Sequence, residues 1–253
     1  MRPLTLPRQR ALAGLLTLVV AGIPQAALAW GSLILLDPTP DEDKLAFGAS
    51  AWRVPRSPDG RHAEHLLTPA VDYYRHDGWF VSTETGVGYN ASRSAAWQAG
   101  LRLWPQFGRA RQDASAAWPR IGPRLQTQAF ANATVADVAL LQSAISSGSG
   151  IHHDGVQTEL GVTSGIPWEG GSLGLTLATT YANRAFRRDY TGVDHAGWTD
   201  WSWALSAEQK LGGAWRMDAQ FQRATILRPP STSGSPRSTW HPQAMLISLW
   251  RNW

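Results

Sequence analysis

Between Trp215 and Gln222 the chain alternates without error. Trp215, Met217, Ala219 and Phe221 fall on one parity, and Arg216, Asp218, Gln220 and Gln222 on the other. A strand sends successive side chains to opposite faces, so this segment is a strand with one apolar and one polar face. The pattern recurs along the chain. Trp79, Val81, Val87 and Tyr89 oppose Ser82, Glu84, Gly86 and Gly88; Ala95, Trp97, Ala99, Leu101 and Leu103 oppose Gln98, Gly100 and Arg102. Val156, Leu160 and Val162 oppose Gln157, Glu159, Gly161 and Thr163, and Leu173, Leu175, Leu177 and Tyr181 oppose Ser172, Gly174, Thr176, Ala178 and Thr180. Trp201, Trp203, Leu205 and Ala207 oppose Asp200, Ser202, Ser206, Glu208 and Lys210. These runs are near the roughly 9–11 residues a tilted strand needs to cross a bilayer, whereas ordinary soluble strands average about 5–6.

Alternation by itself does not say what the apolar face meets. A soluble sheet packs it on protein; a membrane barrel turns it to lipid and lines its interior with the polar face. The N-terminus narrows the choice. Arg2, Arg8 and Arg10 precede the apolar run at residues 11–23, and Ala27-Leu28-Ala29 supplies small residues at Ala27 and Ala29. This is the pattern of a secretory signal peptide over residues 1–29, cleaved after Ala29, with a single domain over 30–253. Taking those three arginines from 23 Lys+Arg leaves 20 against 19 Asp+Glu, so the exported chain is nearly neutral and carries no electrostatic signature of a nucleic-acid partner. There are no cysteines to staple an exported fold. No apolar run beyond the leader approaches the length of a spanning helix. Fourteen tryptophans favour a membrane–water boundary. Strands inside a membrane must all be paired, so long two-faced strands imply a closed cylinder.

The expectation is therefore all-β: a transmembrane antiparallel up-and-down β-barrel of about 10–12 strands, 12 favoured, with additional strands near the N-terminus and within 124–146. Lipid-facing positions are Trp79, Trp97, Leu101, Leu173, Leu175, Leu177, Trp201, Trp203, Trp215, Met217 and Phe221. Lumen-facing positions are Glu84, Arg102, Glu159, Asp200, Glu208, Lys210, Arg216, Asp218 and Gln220, whose mixed charges suit internal ion pairs or a pore lined with both signs. His76-Asp77-Gly78 and Gly212-Gly213 mark tight turns, and longer polar stretches lie at 55–65, 105–123, 183–198 and 227–242.

Pro69 to Phe80, then Gly86-Val-Gly-Tyr89, resembles the N-terminal signature of the MltA-interacting protein (MipA/OmpV) family. Gly108-Arg109 with Trp118 to Gly122, His153-Asp-Gly155, Leu175 to Tyr181, and Tyr190 to Val193 resemble further segments of that family, although Thr191 stands where a second aromatic is common. The resemblance implies an outer-membrane barrel, with the founding member a scaffold between a murein transglycosylase and a peptidoglycan synthase. The C-terminal segment resembles the signal read by the barrel-assembly machinery, carried here by Ile247, Leu249 and Trp253; Arg251 departs from it. Outer-membrane lipids are the remaining partner.

Two clusters carry possible chemistry. Asp194-His195 resembles an acid–base pair, but no nucleophile accompanies it. His152-His153-Asp154 resembles a metal site, but adjacent histidines point apart and Gly155 marks a turn. No Gly-x-Ser-x-Gly elbow or phosphate loop is present. The expectation is a non-enzymatic envelope scaffold without cofactor, with a porin-like channel for small solutes as the alternative.

Overall fold

The computed structural model describes residues 39–55, 63–94, 96–106, 120–136, 138–227 and 241–253. The expected leader with Ala27 and Ala29, and the family-like residues Gly108, Arg109 and Trp118, lie outside the described residues. Twelve antiparallel strands close in sequence order: β1 (Lys44–Pro55), β2 (Ala63–Tyr74), β3 (Trp79–Ser82), β4 (Gly86–Asn90), β5 (Trp97–Gln106), β6 (Arg124–Val135), β7 (Ala139–Ser149), β8 (Gly155–Trp168), β9 (Gly171–Ala182), β10 (Gly197–Gly212), β11 (Trp215–Ile226) and β12 (Gln243–Asn252). β1 pairs with β12 from Ala46↔Asn252 to Arg53↔Met245, so that pair of strands leaves no free edge. One helix, α1 (Arg184–Thr191), interrupts the connection from β9 to β10.

The alternation sorts the side chains into two environments. Outward-pointing Leu101 is 60% exposed and Trp79 52%, while inward-pointing Gln128 and Ser248 are 4% and 0% exposed. Aromatic rings gather towards the two rims of the outer surface. Trp79, Tyr89, Trp97, Trp168 and Trp215 lie towards the end with short turns; Tyr181, Trp198 and Trp201 lie towards the end with long connections. Rings with a polar edge are suited to such girdles around an apolar band. Both ends of the barrel sequence, Lys44 and Asn252, lie at the short-turn rim.

The polar stretch at 183–198 is not all loop. Asn183 caps α1 by accepting a hydrogen bond from the Phe186 backbone N–H, and Gly192 ends the helix in the left-handed region at φ 71°.

Residues 79–89, expected to form one segment, instead form a hairpin of two short strands, β3 and β4, joined at Thr83–Thr85. The Ser82 hydroxyl accepts from the backbone N–H of Glu84 (3.0 Å) and Thr85 (3.1 Å), which turns the chain. Gly86 follows at φ 87°, where a Cβ would come within 2.4 Å of the Leu103 carbonyl oxygen. Ser82 pairs with Gly86. Paired residues separated by an even number keep the same parity, so the sequence alternates through this reversal as a continuous strand would.

Candidate functional site

The β3–β4 hairpin stops partway along its neighbours, and its tip turns into the barrel. Glu84 reaches past β2 to accept hydrogen bonds from Ser50 on β1 (3.2 Å) and Ser248 on β12 (2.5 Å), and these two hydroxyls touch each other at 2.8 Å. On the other side Arg102 donates to the Thr85 carbonyl (3.2 Å) and to Gln128 (2.5 Å), and Gln128 donates to Ser146 (2.7 Å). The Tyr74 hydroxyl lies 3.3 Å from that of Thr85, and its ring stacks on Phe80. Strands on both sides thus clasp the tip within the lumen.

A polar network continues around the wall. Thr163 donates to Gln142 (2.8 Å) and contacts Thr176 (2.7 Å); Asp200 accepts from Thr180 (3.1 Å) and Thr199 (2.7 Å); Asn132 donates to Gln98 (3.3 Å). Nearer the short-turn rim, Arg216 pairs with Asp218 (3.2 Å) and Asp72 (3.9 Å) and lies over the Trp250 ring. Buried polar groups need such partners, because each unsatisfied one costs about 1–3 kcal/mol. Polar side chains of these strands line the barrel interior at this level.

The long-connection rim is capped over β8–β11. Phe186 and Tyr190, four residues apart on α1, stack at 4.4 Å and pack with Ile121, Ala182 and Ile226. The Asp189 carboxylate accepts the Ile151 backbone N–H at 2.5 Å, tying the helix to the β7–β8 connection.

Glu84, Arg102, Glu159, Glu208, Arg216, Asp218 and Gln220 are placed on the inward side, and Lys210 shares that parity at the exposed end of β10. Glu84 does so from a turn. Trp79, Trp97, Leu101, Leu173, Leu175, Leu177, Trp201, Trp203, Trp215, Met217 and Phe221 are on the outward face, where Trp203 and Phe221 touch at 5.3 Å between ring centres. Ile247 and Leu249 point outward from β12, and Trp253 follows it with its ring 4.5 Å from the Arg251 guanidinium carbon. Ser50, Ser248, Gln128 and Thr85 are the members of the clasp that alternation did not single out; Ser82-Thr83-Glu84-Thr85-Gly86, rich in turn-forming residues, is the signal that would have found its centre.

Asp194 and His195 are held by arginines, and His152-His153-Asp154 lies in the connection between β7 and β8. Arg184 grips Asp194 with two bonds (2.7 and 2.5 Å), which hold its carboxyl below the usual range, and His195 Nδ1 lies 2.9 Å from Arg187. His153 occupies a turn at φ 61°, and the Asp154 carbonyl accepts from Asn183. Among the described residues no group of three or more His, Cys, Asp or Glu side chains is placed to hold a metal ion.

Among solved structures, the chain is similar to an outer-membrane channel from Pseudomonas putida F1, at 12% identity over 87% of this chain and 100% of that one, with a TM-score of 0.44. It is also similar to the CymD monoaromatic hydrocarbon channel, at 9% identity over 93% of this chain and 97% of that one, with a TM-score of 0.39. No curated protein sequence matches it. Residues 47–227 match the family described as MltA-interacting protein MipA. The chain is an outer-membrane β-barrel belonging to the MltA-interacting protein MipA family.

Proposed function

We propose that the protein is a non-enzymatic scaffold of the outer membrane, exported by cleavage after Ala29, with its outward apolar face in lipid and its short-turn rim towards the periplasm. The observation that carries this reading is the clasped hairpin tip: Glu84, Ser50, Ser248, Arg102 and Gln128 occupy the lumen with side chains bonded to one another. A barrel plugged in this way acts through its surfaces. The family name points to a murein transglycosylase as the partner, and the resemblance of the sequence extends this to a peptidoglycan synthase. Ile247, Leu249 and Trp253 serve the barrel-assembly machinery during insertion.

A channel for small solutes is the competing reading, favoured by the half-buried charges Glu208, Arg216 and Asp218 at the short-turn end of the lumen. Planar-bilayer recording of the refolded protein separates the two: a scaffold gives no conductance steps, and reproducible ohmic steps would establish the channel. A purified murein transglycosylase should also be retained by the immobilised barrel; failure to retain it removes the partner assignment.

A further inference from the structure

Charge is distributed very unevenly over the outward face. By strand parity, every carboxylate within the described strands falls on the inward side, and the basic side chains on the outward side are Arg53, His65, Arg223 and Arg251. Three of these gather at the long-connection rim. Arg53 lies near the end of β1, His65 near the start of β2 and Arg223 near the end of β11. Arg251 stands at the opposite rim, where its guanidinium lies over the rings of Trp215 and Trp253.

Register brings the first group together. Arg53 pairs with His65 on β2 and with Met245 on β12. Met245 pairs in turn with Phe221, and the next outward pair towards the rim is Gln243↔Arg223. The Arg53 guanidinium bends across β12 and donates to the Gln243 carbonyl (3.4 Å). Arg53 and Arg223 therefore flank Gln243 from either side, on strands roughly 10 Å apart, within reach of two long side chains holding one anion. Just beyond them, Thr225 and His241 touch at 3.2 Å. The acidic partners at this rim are taken up elsewhere: Asp194 pairs with Arg184 and Asp189 with Arg188. Neither Arg53 nor Arg223 has an ion-pair partner among the described residues.

The surroundings suit a two-part ligand. Exposed Met245 and half-buried Phe221 lie beside the arginines on the side of the apolar band, and Trp203 is in register with Arg223. An arginine near a membrane boundary lays its stem along apolar surface and sends its head to the headgroup level, where the cost of charge on a barrel's lipid face falls away. A guanidinium presents parallel N–H donors that match the oxygens of a phosphate.

We propose that Arg53, Gln243 and Arg223 form a seat for the phosphate of an anionic lipid in the leaflet at the long-connection rim, with the lipid's chains lying along Met245, Phe221 and Trp203. The inference rests on the reading of the outward face as lipid-facing and is independent of whether the lumen conducts.

Fluorescence quenching by brominated lipids tests it. The chain has no cysteine, so a single fluorophore can be attached at Met245→Cys, within the seat, or at Leu175→Cys, on the outward face of β9. The full barrel is placed in liposomes of phosphatidylcholine brominated in its acyl chains, or of plain phosphatidylcholine with a minor fraction of brominated phosphatidic acid. Brominated phosphatidylcholine should quench both labels. Phosphatidic acid should be preferred over phosphatidylcholine by roughly fivefold at position 245 and show little preference at 175. Arg53→Gln with Arg223→Gln should remove the preference at 245, and Arg251→Gln should leave it. If the double variant does not reach the heat-modifiable folded form, Arg223→Gln alone is read in the same way, with a reduced preference expected. Equal preference at the two positions, or a preference at 245 that survives in the folded arginine variant, overturns the seat. Absence of quenching by brominated phosphatidylcholine at both positions overturns the lipid-facing reading itself.

Discussion

β8 to β11 and β2 to β5 form opposite kinds of wall. The first four strands run 14, 12, 16 and 12 residues and meet their neighbours in long registers. In the second set, β3 and β4 have only 4 and 5 residues. The long strands carry an outward leucine stripe and a polar interior; the short ones carry a polar tip directed inward. The wall therefore rests on long backbone ladders on one side, and on short ladders with a side-chain clasp at the hairpin tip on the other, and the two sides should fail in different ways.

The backbone gives the largest contrast. Leu175 lies within β9, paired with Ser164 on β8 and Leu205 on β10. Leu175→Pro removes a donor from a two-sided ladder, and no heat-modifiable folded band is expected on a gel. Pro69→Val, on β2 beyond its register with β3, should leave that band in place; equal behaviour of the two variants would erase the distinction between the walls. Charge comes next. Ala219→Arg, outward near the middle of β11, should cost about 2–4 kcal/mol in a lipid-facing position, as measured by urea unfolding in liposomes. Gln220→Arg, one residue on and inward, should cost less than half of that, and a reversed order would reverse the assignment of faces.

The clasp should yield a smaller, local effect. Glu84→Gln disturbs the bonds from Ser50 and Ser248, at a cost of about 1–3 kcal/mol if a buried polar atom loses its partner. Hydrogen exchange should quicken at residues 79–90 and stay unchanged in β8–β11; uniform quickening would show that the tip supports the whole barrel. The smallest effect belongs to the short-turn rim. Asp43 accepts from His76 Nδ1 (2.7 Å), the His76 backbone N–H (3.1 Å) and the Tyr73 hydroxyl (2.9 Å), and the His76 side-chain bond in particular holds its carboxyl below the usual range. A lowered carboxyl pKa contributes stability above the unfolded-state value and loses it as pH falls through the folded one. Asp43→Asn should therefore flatten a slight acid-side loss of stability and leave neutral-pH spectra unchanged.

The amino-acid sequence by itself determined which side chains share a face. Parity is a property of neighbouring residues, so Trp215, Met217 and Phe221 separate from Arg216, Asp218 and Gln220 without knowledge of any partner strand. It also marked His76–Gly78 and Gly212–Gly213 as turns, because glycine with a positive φ is a local requirement. What only the tertiary structure decided is where a strand stops and what its polar face meets. Ser82 and Gly86 keep one parity across the Thr83–Thr85 reversal, so β3 and β4 read as a single strand. The bonds from Ser50 and Ser248 to Glu84 join residues 34 and 164 positions apart, and β1 closes on β12 across nearly the whole chain. Such contacts follow from the closure of the cylinder, a long-range condition that no local period encodes.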